Sequence, residues 1–145
     1  GGDVAALFRL SPRPILAVPA APAALARPLL AYDGSPKARE ALFVATYLAE
    51  AWRVPLAVVA VRSAGRPAER LLAEAQRYLE IHEVEAALIE AGGPAPGAIL
   101  AAAREQESDL LILGGYGGSP VVAAVLGSTV NAVLARAAMP VLVCR

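Results

Sequence analysis

Gly114-Gly115-Tyr116-Gly117-Gly118, followed by Gly127-Ser128-Thr129, is the stretch of this sequence best suited to hold an anion. The spacing is Gly, two residues, Gly, nine residues, Gly-Ser, and it begins where the apolar run Leu110-Leu111-Ile112-Leu113 ends. A helix-like segment, Val130 to Ala138, comes next. Glycines let a backbone approach an anion closely, and the free N–H groups of a helix start point at it with the helix dipole behind them. Ser128 and Thr129 stand where an N-cap belongs and would add hydroxyl donors. Glycines after a strand are also ordinary turn residues, and Ser128 could serve only as a cap. A second place of interest is Asp33-Gly34-Ser35, just after the apolar Pro28-Leu29-Leu30-Ala31-Tyr32. There the carboxylate could contact a ligand or merely satisfy turn N–H groups.

Chemistry elsewhere is sparse. His82, the single histidine, has no cysteine nearby and reads as a surface residue. Cys144, the single cysteine, rules out an internal disulfide framework and suits a reducing compartment. No Ser-His-Asp set can be assembled around the glycines. The chain has 145 residues, 57% hydrophobic and 18% charged, which suits one domain with a real core. Thirteen basic residues balance thirteen acidic ones, so there is no electrostatic case for nucleic acid or an acidic membrane. Apolar stretches such as Ala41 to Ala49 are too short to span a bilayer, and a cytoplasmic location is expected.

Strand-like and helix-like runs alternate from residue 28 onward. Strands are predicted at Pro28–Tyr32, Pro55–Val61, Ala86–Ile89, Leu110–Leu113 and Val141–Cys144. Helices are predicted from Ser35-Pro36, over Pro67–Ile81, over Pro96–Gln106 and over Val130–Ala138. Ser followed by Pro is a helix-start signal, and uniformly apolar strands suit a parallel sheet covered on both faces. The fold class is α/β, a doubly wound, Rossmann-like parallel sheet.

Residues 1–26 read differently. With a constant offset of 126 positions, Gly1 falls on Gly127, Val4 on Val130, Ala6 on Ala132, Pro14 on Pro140 and Leu16 on Leu142. The segment therefore reads as the last helix and strand of a preceding copy of the same domain, joined by a linker around Ala20–Ala24, with the domain proper at 27–145. Chance matching in an Ala-, Leu- and Pro-rich sequence is the alternative. On the repeat reading, residues 14–18 run antiparallel to residues 140–144 as an extra edge strand.

The glycine spacing, Asp33-Gly34-Ser35, the turn Gly93-Pro94-Ala95-Pro96-Gly97 and the ending Met139-Pro140-Val141-Leu142-Val143 together resemble the ATP-binding branch of the universal stress protein family. The resemblance covers residues 27–145 and implies five strands in the order 3-2-1-4-5. In that order Asp33 and Gly114 meet at the point where the winding reverses, where open parallel sheets bind ligands. The resemblance further implies ATP as ligand, with a divalent ion such as Mg or Mn bridging its phosphates. Asp33 would contact the ribose, the backbone of Ala31 and Val61 the adenine edge, and Leu113 the face of the base. Gly114, Gly117, Gly127, Ser128 and Thr129 would hold the phosphates. It implies a sensor or regulator rather than a metabolic enzyme, pairing as a homodimer or an intramolecular pseudo-dimer through the last strand. One departure stands out: Ser119 to Leu126 carries no charge, leaving a metal, a helix end, or Lys37 and Arg39 to offset the phosphates. A vestigial site in a domain used for protein contact is the rival reading.

Overall fold

The computed structural model describes residues 11–115 and 120–144. In chain order the elements are β1 (Ile15–Ala17), β2 (Pro28–Ala31), α1 (Pro36–Trp52), β3 (Leu56–Val61), α2 (Ala68–Ile81), β4 (Ala86–Ala91), α3 (Ala95–Glu105), β5 (Leu110–Gly114), α4 (Pro120–Arg136) and β6 (Val141–Cys144). The strands form one sheet in the order β1-β6-β5-β2-β3-β4. From β4 across to β6 the pairs are parallel, and β1 alone runs antiparallel, against β6. This is the expected doubly wound order with an added edge strand.

Neighbouring residues of each central strand point to opposite faces, and each face has its own core. Leu30, Val58, Leu110 and Ile112 pack under α1 and α2, against Ala41, Leu42, Leu71 and Leu79. Leu29, Val59, Leu111 and Leu113 pack under α3 and α4, against Ile99, Ala103, Val130 and Val133. The short side chains Ala38, Ala41, Ala45 and Ala49 let α1 lie close to the sheet. Thr46 is the buried polar residue in that stripe, and its hydroxyl donates to Leu42 O at 2.7 Å, so no desolvated donor is left unmade.

Helix starts follow the local signals. Ser35 Oγ accepts from Ala38 N–H at 3.1 Å and Pro36 occupies the first turn of α1. The start of α4 departs from expectation. The helix begins at Pro120, not near Val130, so residues 120–126 are helical rather than a loop and Ser128 and Thr129 are not its cap. Pro at a helix start has its φ already set, and the apolar run after it continues the helix. Gly127 costs only about 1 kcal/mol relative to Ala within such a helix.

β1 pairs in the register Ile15 with Val143, Leu16 with Leu142 and Ala17 with Val141. The offset of 126 carries Leu16 onto Leu142, so the central residue faces its own counterpart. Ile15 and Ala17 each face the counterpart of the other, which is the pattern a local two-fold axis produces. Beyond β1, the Asp109 carboxylate accepts from Ala26 N–H (3.0 Å) and Arg27 N–H (2.7 Å), fixing the chain where it enters β2.

Candidate functional site

β2 is flanked by β5 on one side and β3 on the other, and beyond their C-terminal ends the crossovers part to opposite faces of the sheet. A cleft of about 430 Å³ opens there, on the face covered by α3 and α4. Of the residues singled out from sequence, Ala31, Asp33, Val61, Leu113, Gly114 and Thr129 all line it. They come from four separate elements and the turn after β2. Ser128 is exposed on α4 and does not line the cleft. Gly127 is helical, inside α4, and Gly117 lies outside the described residues.

The cleft has an apolar floor and a polar rim. Val59, Leu113, Ile99 and Val130 supply the floor. β3 outruns β2: the last register pair is Ala31 with Val59, and Tyr32 N–H donates to Val59 O at 2.9 Å. The Val61 main chain therefore lies at the cleft, beyond its neighbour strand. Hydroxyls come from Ser35, Ser63 and Thr129, and charges from Asp33 and Arg62.

Several of these residues also have structural duties. Asp33 Oδ1 accepts from Ser35 N–H at 2.9 Å, so the turn role foreseen for this carboxylate is real. Gly34 has φ +74°, a conformation that favours glycine. Gly114 is fixed by packing: a Cβ there would sit 2.5 Å from Ala38 N and 2.6 Å from the Lys37 carbonyl carbon. The glycine that ends β5 is thus what lets the first turn of α1 cross the sheet so closely. The N–H groups of Ser128 and Thr129 are interior to α4, about 12 Å along the axis from its start, so they do not form a free helix N-terminus. What Thr129 brings to the cleft is its side chain.

The cations foreseen for the phosphates are engaged elsewhere. Lys37 Nζ pairs with Glu40 at 3.2 Å, and Arg39 Nε with Glu74 at 3.1 Å. Arg62, which lines the cleft and sits 3.5 Å from Glu90, was not singled out by sequence. Its place directly after β3, at a C-terminal strand end, was the available signal. Gly93 and Ala95 also line the cleft, in the turn into α3. Behind the turn, the buried Tyr32 hydroxyl donates to Glu74 Oε1 at 2.6 Å. Burial first, and the bond to Glu74 second, push the Tyr32 phenol up to about 12. The same hydrogen bond holds the Glu74 carboxyl below its ordinary value, aided by Arg39. Burial raises the Cys144 thiol to about 11, consistent with a packing residue. Among the described residues no group of His, Cys, Asp and Glu is arranged to hold a metal ion, and no helix is long and apolar enough to cross a membrane.

Comparison with known proteins adds to this geometry. A universal stress protein of Synechocystis is 30% identical over the whole chain, which spans 51% of that relative's length. A universal stress protein structure from Archaeoglobus fulgidus superposes with a TM-score of 0.71 at 28% identity, over 83% of this chain and 44% of the other. A universal stress protein solved in complex with cAMP shares the fold with a TM-score of 0.68 at 20% identity, over 82% of this chain and 96% of its own. The chain thus spans about half the length of the first two relatives. The sequence profile of the universal stress protein family matches residues 27–145, and with the doubly wound sheet and the cleft at its switch point this chain belongs to the universal stress protein family.

Proposed function

We propose that the cleft binds an adenine nucleotide, ATP in the first instance, and that the domain acts as a nucleotide-responsive regulator rather than an enzyme. One observation carries this: six residues chosen from sequence for nucleotide contact line a single cleft at the switch point of the sheet. The floor of Leu113, Ile99 and Val130 suits a base, and the Val61 main chain suits its edge. Asp33 has a second carboxylate oxygen for a ribose hydroxyl, and Thr129 a hydroxyl for a phosphate. A fold relative in complex with cAMP carries the same adenosine moiety. Asp33 and Arg62 cancel in charge, so a triphosphate here calls for a divalent ion such as Mg or Mn on its own oxygens. No histidine or lysine lines the cleft, and Asp33 is tied to its turn, so hydrolysis is expected below about 1 per second.

Calorimetry with ATP, ADP, AMP and cAMP, each with and without Mg, tests the reading. Saturable binding of at least one nucleotide is expected. Absence of all binding would favour the second reading, a protein-contact domain with a vestigial site. That reading draws on the turn role of Asp33 and the packing role of Gly114.

We further propose that residues 1–26 belong to a preceding copy of the domain, so that β1 and β6 form the seam of an intramolecular pseudo-dimer. The symmetric register of β1 on β6 and the doubled length of the Synechocystis relative support this. A native polypeptide with roughly twice the 14.8 kDa of this chain is expected, and one close to 14.8 kDa would exclude it.

A further inference from the structure

On the other side of the Asp33-Gly34-Ser35 turn from the cleft is a smaller hollow of about 190 Å³, where α2 begins. We propose that this hollow is a separate binding site for a small phosphate-type oxyanion. Arg39, Arg66 and Arg70 line it, and among the described residues Glu74 is the one carboxylate that does. The proposal stands apart from the nucleotide reading, because it uses different residues on the opposite face of the sheet.

The charges do not balance. Glu74 Oε1 already receives the Tyr32 hydroxyl and Arg39 Nε, so its charge is shared with Arg39. Arg66 Nη1 donates to the Asp33 carbonyl oxygen at 2.8 Å, a neutral acceptor, and its charge acts on the already shared Glu74 carboxylate without a direct ion pair. The Arg70 main-chain N–H donates to Pro67 O at 3.1 Å, but its guanidinium makes no hydrogen bond or ion pair among the described residues. Glu69, in the first turn of α2, does not line the hollow. Three guanidinium groups around one carboxylate repel one another, and an oxyanion between them removes that repulsion. Guanidinium is also the group whose planar fork best matches phosphate oxygens.

The wall is preorganised. Gly34 holds its φ of +74° so close to Arg66 that a Cβ would lie 2.9 Å from Nη1, and the Asp33 carbonyl fixes the same group. Opposite, Gly65 has open space where a side chain would stand, leaving an entrance. Pro67 precedes α2 without any side-chain cap, so the first N–H groups of that helix add positive potential. The hollow is less than half the volume of the cleft, which suits a phosphate or pyrophosphate rather than a nucleoside.

Amide NMR of the full chain, titrated with inorganic phosphate at low ionic strength, reads this directly. Saturable shifts at Gly34, Gly65 and Arg70 are expected, with little change at Thr129 or Leu113. Arg70→Gln, which removes a guanidinium with no partner among the described residues, should weaken phosphate binding about tenfold or more. Arg66→Lys should keep part of it, and Arg66→Gln should lose it with the fold retained by circular dichroism. Shifts confined to the cleft, shifts reproduced by sodium chloride at equal ionic strength, or equal affinity in Arg70→Gln and the parent would each overturn the proposal. An acidic peptide binding at the same amides while phosphate does not would overturn it as well.

Discussion

Tyr32 and Glu74 join the sheet to α2: the phenol at the end of β2 donates to Glu74 Oε1 at 2.6 Å, and Arg39 of α1 reaches the same oxygen at 3.1 Å. One carboxylate oxygen thus ties the turn beside the cleft to both helices on the opposite face. The ring is buried, so the hydroxyl has little access to water as an alternative.

Removing that hydroxyl should therefore be felt. Tyr32→Phe is expected to lower stability by about 0.5–1.5 kcal/mol in urea titrations. The phenol is raised from 10.0 to about 12, so its contribution is full below pH 10 and is lost as pH climbs through about 12. Absorbance at 295 nm should show one tyrosine ionising only near that upper value, and Tyr32→Phe should delete that step. Glu74 is shifted the other way, so its contribution is present above its ordinary 4.5 and fades as pH falls below it.

Asp33→Ala is expected to weaken adenine-nucleotide binding by about 1.5–3 kcal/mol in calorimetry, the cost of one charged hydrogen bond. The turn loses its bond to Ser35 N–H as well, but Ser35 still caps α1, so the thermal transition should stay cooperative. Unchanged affinity would leave Asp33 as a turn residue alone.

Gly114→Ala should act on the fold before it acts on any ligand. Its methyl would press on backbone atoms of Lys37 and Ala38, which cannot rotate aside. A loss of about 1–3 kcal/mol in urea unfolding is expected, the usual cost of overpacking. A variant as stable as the parent would show that the first turn of α1 can move away from β5.

Deleting residues 1–20 removes β1 and bares the edge of β6. Sedimentation velocity should then show more self-association than the parent, since an unpaired apolar edge invites another strand. A deletion variant that associates no more than the parent would mean that β6 tolerates an open edge.

Much of this architecture could be read from local signals, because those signals act locally. Ser35-Pro36 announced a helix start, and Ser35 does cap Ala38. The uniform apolarity of β3 and β5 announced strands covered on both faces, and both are. The beginning of α4 was hidden because Gly127-Ser128-Thr129 carries the marks of a cap. Which of two possible starts wins depends on the whole helix, and Pro120 begins it. The cleft cations were hidden for another reason. Whether Lys37, Arg39 or Arg62 is available depends on where Glu40, Glu74 and Glu90 fall in space, which spacing along the chain does not reveal.

The pairing of β1 with β6 also sets a schedule. Leu16 is made 126 residues before Leu142, and the two must meet for the sheet edge to close. At ordinary translation speeds β1 waits on the order of 6–25 s for its partner to be synthesised. During that wait Leu16 and Val18, exposed even in the finished fold, have no β6 to lie against. Closure over so long a loop also makes this pair a late and low-stability step, the first to open when the domain breathes. Hydrogen exchange should therefore find the amides of β1 exchanging well before those of β2 and β5.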